Sequence, residues 1–442
     1  MTKITIIGAG STVFMRNIVT DILLEPLFAD CHIALQDIDE KRLKTSQLVV
    51  DKITSALAVT PQVTATMSRE EALTGADFVI LMIQVGGYKP STVIDFDIPQ
   101  KYGLQQTIAD TLGIGGIMRG LRTVPVLVDI ARDMERLCPD ALMLQYVNPM
   151  AINCLALSQI APELNYVGLC HSVQGTAADL ARDLGEDMAN ISYDCAGINH
   201  MAFYTRFEKT HADGTVEDLY PRLMKVGQDQ SFGPNWDGCT NHVRYEVLKR
   251  LGYFVTESSE HFAEYTPWFI KSHQPDLLTE FNIPINEYIR RCEKQISEWD
   301  AQEQDLLADT NLVCEKSVEY AARIITSMVS GEEDVIYGNV LNKDLIPDLP
   351  AYSCVEVPCV TSLGKLTPQK VPALPLHLSR LMQTNISVQQ LTVEALVTGK
   401  KDAIYHAAML DPHTAAELSL DQIWHMVDDL LEAHEGWIPE FK

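Results

Sequence analysis

Long apolar runs are missing from this chain: none approaches the roughly 20 residues that span a bilayer, so no membrane span is expected. Basic side chains are scarce, 34 against 60 acidic ones in 442 residues, for a formal net charge of −26. That balance repels nucleic acid and anionic lipid. The expected partner is a small neutral or cationic molecule, with no nucleic acid and no membrane. Closely spaced cysteines are also lacking. The ten are scattered from Cys31 to Cys359, in a chain far larger than the domains that depend on disulfides, and they read as reduced thiols. The first strand is expected at about Lys3, which leaves no room for a signal peptide, and the expected location is cytoplasmic. Internal repeats and low-complexity tracts are absent. The length implies about two domains.

What is present begins with a nucleotide-binding pattern. Residues 3–7, Lys-Ile-Thr-Ile-Ile, form a short apolar run ending in Gly8-Ala9-Gly10-Ser11, and a helical pattern follows from about Thr12 to Leu24. In such a strand, turn and helix, glycines let the backbone approach a pyrophosphate whose charge sits at the helix N-terminus. The usual third glycine is replaced by Val13, so the motif alone fits an ordinary strand-to-helix turn as well as a nucleotide site. Its context adds to it. A second strand, 33–36, ends at Asp37, about where an acidic side chain accepts from a ribose 2′-hydroxyl. No basic residue follows until Lys41, which favours NAD over NADP. Asp39 is the alternative ribose partner, and either carboxylate can cap the helix that begins near Glu40.

The alternation continues through a buried strand at 76–82 and the turn Gln84-Val85-Gly86-Gly87-Tyr88. Such a turn lies at a strand's carboxyl end, where open parallel sheets bind ligands. Gly8, Gly10, Ser11, Asp37, Gln84 and Gly86 are the expected cofactor-binding residues. Next come Asp110-Thr111-Leu112-Gly113-Ile114-Gly115-Gly116, a helix carrying Arg119 and Arg122, a strand at 141–147 stopped by Asn148-Pro149, and a helix to about Ile160. A short strand at 166–169 then delivers Cys170 and His171 to the same edge. The fold class expected is α/β, a doubly wound parallel Rossmann-type sheet over residues 1–190. Residues 191–442 are expected to form a second, α+β domain for substrate binding and oligomerisation. It should hold helices among irregular segments, a strand at 354–360 and an almost wholly helical stretch over 386–434 with a turn at 411–413.

Cys170 and His200 are the candidate metal ligands. Thiolate and imidazole suit a borderline divalent ion, and two protein ligands leave the coordination sphere open. Each also has a plain alternative, since a free cysteine is commonly a small buried hydrophobe. His171 is a candidate general acid, and Asn148 a candidate hydrogen-bonding partner for a substrate hydroxyl. If residues 256–265 are helical, Glu257, Glu260, His261 and Glu264 share one face. Such a stripe is most often solvated, but the following Tyr265-Thr266-Pro267-Trp268-Phe269 suits a pocket wall. Tyr245 and Tyr253 are further candidate bases.

Three strings carry a resemblance: Gly168-Leu169-Cys170-His171-Ser172-Val173-Gln174-Gly175-Thr176, Ala196-Gly197-Ile198-Asn199-His200-Met201-Ala202-Phe203-Tyr204, and 256–270. With Tyr405-His406-Ala407-Ala408-Met409-Leu410-Asp411-Pro412-His413 they resemble the NAD-dependent glycoside hydrolases of family 4, especially its bacterial α-galactosidase branch. The likeness covers essentially the whole chain. It implies NAD and Mn2+, or another divalent transition metal, as cofactors, Cys170 and His200 as metal ligands, and Asn148 with Asn199 as substrate-binding residues. It further implies that a small α-galactoside such as melibiose is the substrate. Cleavage would run by oxidation at C3, loss of the C2 proton, elimination at C1, addition of water and re-reduction, outside the usual two-carboxylate scheme. The phospho-glycosidase branch places Asp or Asn after the metal cysteine and uses a Tyr base; here that position is His171. His171 and Glu260 are therefore the expected acid and base, with Asp110 and Tyr265 in reserve. The helical C-terminal region suggests a homodimer or homotetramer. The rival is an NAD-dependent dehydrogenase of a sugar or 2-hydroxy acid, which shares the cofactor domain but accumulates NADH.

Overall fold

The computed structural model describes residues 1–234, 239–308 and 313–442. Its frame is a sheet whose first six strands are short and mostly apolar, as parallel strands buried on both faces must be. They are β1 (Lys3–Ile7), β2 (His32–Gln36), β3 (Gln62–Thr66), β4 (Phe78–Leu81), β5 (Leu142–Gln145) and β6 (Tyr166–Gly168). They lie in the order β3-β2-β1-β4-β5-β6, all parallel, which is the order of a dinucleotide-binding fold. The expected α/β class with a Rossmann-type sheet is what the chain forms. Register matters for function: Ile7 pairs with Gln36 and Leu81, Leu81 with Gln145, and Gln145 with Gly168. The segments that follow these residues therefore emerge side by side along one edge.

β3 was not legible as a strand. Its Gln-Val-Thr-Ala-Thr sequence is only half-buried, as befits an edge strand that has no second neighbour to pack against.

The sheet does not stop at β6. It continues through β7 (Ile191–Ile198), β8 (Met201–Thr210), β9 (Val216–Asp218), β10 (Asp334–Leu341), β11 (Cys354–Ser362) and β12 (Lys365–Pro368). The order onward from β6 is β10-β11-β7-β8-β9, with β12 beside β11. These pairings are antiparallel. The strand expected at 354–360 is β11. The β7–β8 hairpin falls where helices and irregular segments were expected; its two-residue turn is Asn199-His200, and His200 takes the left-handed conformation, φ +63°.

The segment 256–265 departs from expectation. Only Ser259–Glu264 is helical, and Glu257 lies before it with φ +64°. The acidic residues therefore form no solvated stripe: Glu260, His261 and Glu264 are all buried. The C-terminal region is helical as expected, in Leu376–Thr398, Asp402–Leu410, Pro412–Glu417 and Leu420–Ala433. Asp411 makes the turn by accepting from the amide of Thr414 at the head of its helix. No helix among the described residues is long and apolar enough to cross a membrane.

Candidate active site

The glycine turn after β1 is tight for identifiable reasons. Gly8 has φ +89°, and a Cβ there would lie 2.6 Å from the carbonyl oxygen of Met82. A Cβ on Gly10 would lie 2.7 Å from Asp37 Oδ2, the atom to which the Gly10 amide donates at 2.7 Å. The two acidic residues after β2 divide their work. Asp39 accepts from the Arg42 amide at 3.0 Å and caps the helix Glu40–Leu57, whereas Asp37 faces the glycine turn. Arg42 reaches back to the Gly10 carbonyl at 3.2 Å and lies over the Trp299 ring. Beyond β4, Gly86 has φ +78°, Gln84 donates to Thr92 at 3.4 Å, and the Val85 carbonyl accepts from Arg122. Arg122 is buried and paired with Asp95 at 2.6 Å, and Asp95 also meets the buried His434 at 2.8 Å.

A few residues along the same edge, three dissimilar donors converge. Cys170 follows β6, His200 closes the β7–β8 turn, and Glu257 precedes the helix Ser259–Glu264. Cys170 Sγ stands 3.4 Å from His200 Nε2, which stands 3.1 Å from Glu257 Oε2, and all three ligand atoms lie within 4.8 Å of one another. Behind the ring, His200 Nδ1 meets the Tyr265 hydroxyl at 3.1 Å. Burial pushes His200 down to about 4, against the pull of Glu257, so its ring is neutral at ordinary pH. Burial opposes ionisation of Glu257, but the neighbouring His200, His261 and His171 outweigh it and hold the carboxyl well below the usual range. The Cys170 thiol is pushed far up, first by burial and then by Glu257 and Glu356. The cluster thus pairs a carboxylate with a neutral imidazole and a protonated thiol, and only a bound cation would favour thiolate.

Beside it lies a second group. Asp110 accepts from Thr111 at 2.7 Å and from Asn148 Nδ2 at 3.1 Å, with Arg119 at 3.9 Å. His261 spans the two groups, 3.6 Å from Glu257 and 3.9 Å from Asp110. Burial lowers its affinity for a proton, yet Glu257, Asp110, Glu260 and Glu264 together raise its pKa above the ordinary value. Burial likewise opposes ionisation of Asp110, and Arg119, His261 and His200 overcome it.

The expected residues are therefore not all in one place. Cys170, His200, Asp110 and Asn148 converge. Tyr265 is fully buried behind His200. Glu260 is turned to Arg291, at 2.6 Å, and His171 is exposed with Glu319 3.7 Å away. Asn199 is completely buried in the hairpin turn. Tyr245 is committed to Asp183 at 2.8 Å. Glu257, His261 and Arg119 were not singled out individually for the site. The signal for the first two was their place in the acidic run before the aromatic segment.

Comparison with known proteins agrees with this geometry. Residues 3–186 match the family 4 glycosyl hydrolase model, and residues 195–414 match the model of the family 4 glycosyl hydrolase C-terminal domain. An α-galactosidase of Bacillus subtilis (strain 168) is 49% identical over 442 residues, covering 100% of both chains. An α-galactosidase of Rhizobium meliloti (strain 1021) is 32% identical over 456 residues, covering 99% of this chain and 89% of the other. In fold, the chain is similar to a 6-phospho-α-glucosidase from gut microorganisms solved in complex with NAD and Mn2+, with TM-score 0.82, 19% identity and 100% of each chain covered. With both halves matched and a full-length relative at 49% identity, the chain belongs to the family 4 glycosyl hydrolases.

Proposed function

We propose that this chain is an α-galactosidase that hydrolyses small terminal α-galactosides, such as melibiose, with NAD and a divalent metal, Mn2+, as cofactors. The observation that carries the reading is the cluster of Cys170, His200 and Glu257 beside Asp110 and Asn148 at the carboxyl edge of a dinucleotide-binding sheet. The full-length likeness to an α-galactosidase supports the choice of sugar.

The residues fit both groups. A thiolate, an imidazole and a carboxylate suit a borderline divalent cation and leave coordination positions open. A dinucleotide would lie over Gly8, Gly10 and Ser11, with Asp37 at its ribose and Gln84 and Gly86 on the far side. When bound, the two groups supply a hydride acceptor for sugar C3 and an electrophile for the C2 and C3 oxygens.

The chain's own side chains do the rest. Asn148 and the ionised Asp110 form a hydrogen-bonding pair suited to sugar hydroxyls. His261 holds a proton within 3.6–3.9 Å of Glu257 and Asp110, where a proton has to move during elimination and water addition. His171 stands exposed next to Cys170, 3.7 Å from Glu319, and in this reading it serves as general acid. Glu260, the expected base, has its Oε1 paired with Arg291 at 2.6 Å. Tyr265 orients His200, and Asn199 shapes the turn that presents it. The same reading includes a division into cofactor and substrate units near residue 190, a cytoplasmic location, and assembly as a homodimer or homotetramer, which light scattering measures.

The test is release of p-nitrophenol from p-nitrophenyl α-galactoside with NAD, Mn2+ and thiol together and with each omitted, while NADH absorbance is followed. Cleavage that requires both cofactors and leaves NADH flat is expected. NADH rising in step with substrate loss would instead make the chain a dehydrogenase.

A further inference from the structure

Glu264 is a buried carboxyl group that accepts from three consecutive backbone amides. Oε2 accepts from the amides of Thr107 at 2.8 Å and Ile108 at 3.2 Å, and Oε1 accepts from Ala109 at 2.8 Å. Three amides converge on one side chain only if the backbone turns around it, and Ala109 accordingly has φ +54°, a costly conformation for a residue with a Cβ. The next residue is Asp110. Placing a carboxylate out of water is expensive unless its lone pairs are filled, and filling them with amides of a single turn fixes that turn.

The opposite side of the turn is clamped too. A Cβ on Gly115 would lie 2.4 Å from the Ala109 carbonyl oxygen, and one on Gly116 would lie 2.7 Å from that of Thr111. The glycines at the head of the helix Gly113–Leu137 thus admit the carbonyls on either side of Asp110. Further ties hold the approach: Thr107 Oγ1 donates to the Glu260 carbonyl at 2.6 Å, and the Tyr288 amide donates to the Thr107 carbonyl at 3.0 Å.

From this geometry we infer that Glu264, acting with Gly115 and Gly116, is a positioning residue that holds the Asp110 carboxylate against Asn148 and His261 for the reaction. The inference rests on the proposed function, in which Asp110 binds the sugar. A displacement of about 1 Å at a reacting group costs up to ~100-fold in rate, so a turn held on both sides is where catalytic geometry is set. Glutamine at 264 offers one acceptor oxygen and an amide donor that meets a backbone N–H head-on. The turn then loses at least one of its three bonds and shifts Asp110, while the cation cluster is left alone.

The experiment compares Glu264→Gln, Gly115→Ala, Asp110→Asn and the double variant Glu264→Gln/Asp110→Asn with the native enzyme. It reads kcat and KM on p-nitrophenyl α-galactoside, Mn2+ affinity by electron paramagnetic resonance, and amide exchange of residues 107–109 by mass spectrometry. Glu264→Gln is expected to lower kcat by about 10- to 100-fold, leave Mn2+ affinity within about twofold, and speed exchange at 107–109. Gly115→Ala should reproduce this pattern from the other side, and decides the matter if Glu264→Gln does not fold. In the Asp110→Asn background the added Glu264 change should cost almost nothing, because residues acting as a unit are not additive. Losses that multiply, Mn2+ affinity that falls with kcat, or an unchanged kcat would each overturn the inference. If the native enzyme cleaves no α-galactoside, the functional reading fails by itself. The clamp is then judged by exchange alone, and protection retained in Glu264→Gln overturns it.

Discussion

The Tyr265 hydroxyl meets His200 Nδ1 at 3.1 Å, so the ring of His200 is held from behind while Nε2 faces Cys170 and Glu257. In the tautomer whose Nδ1–H donates to the tyrosine, the Nε2 lone pair is the one left for a cation. Such outer partners fix the tautomer and ring orientation of metal-binding histidines. Tyr265→Phe is expected to weaken Mn2+ binding by about tenfold while the fold persists, as measured by titration of the free protein with Mn2+.

Cys170 sets a pH dependence. Because burial and the nearby Glu257 and Glu356 push its thiol well above the ordinary value, the cation-free protein carries a proton there that binding must displace. Mn2+ affinity should rise with pH, and weakly buffered calorimetry should record a proton released on binding. In Cys170→Ser both the proton release and that part of the pH slope should vanish.

Gly10 tests the proposed dinucleotide site. Gly10→Ala places a Cβ 2.7 Å from Asp37 Oδ2 and drives apart the turn and the carboxylate its amide now bonds. NAD affinity should fall by at least about tenfold, by analogy with other sites that need close backbone approach. Mn2+ affinity, measured on the same preparation, should not change.

Glu356 links pH to stability. Completely buried on β11, it accepts from Asn339 at 3.1 Å, and burial raises its pKa from 4.5 to about 7. Between those values the folded protein holds a proton that the unfolded chain has released, so this group makes stability fall as pH rises. Below about 4.5 its contribution is fully present, and by pH 7 it is largely lost. Glu356→Gln mimics the protonated form. Urea unfolding of the cation-free variant should show a flatter pH profile between 5 and 7.5, with the gain over the native protein greatest at the alkaline end.

Much of this was legible in the residues. The strand-turn-helix around Gly8, the strand ending at Asp37 and the strand delivering Cys170 are local patterns of apolar run and glycine, and they appear where expected. The hidden parts depend on distant partners. β7 and β8 carry mixed polar and apolar residues whose pairing is settled across the sheet, so the Asn199-His200 turn could not be seen. Glu257 was read as one member of a helical stripe because spacing alone implies a helix; its left-handed backbone instead turns it towards His200. Glu264 could not have been assigned at all, since its partners lie more than 150 residues earlier. Glu260 appeared a free carboxylate until Arg291 was placed beside it.

Two junctions in the sheet are narrow: β6, the last parallel strand, meets β10 at the single register pair Gly168–Asn339, and β11 meets β7 at Glu356–Gly197. Cys170 follows β6 on one side of these junctions, and His200 and Glu257 lie on the other, with Glu257 87 positions after Cys170. An ion gripped by all three is thus a reversible cross-link closing a long loop, the non-covalent counterpart of a disulfide. Depriving the protein of it should loosen these junctions before the parallel strands, so that metal starvation would remove a structural tie together with the chemistry.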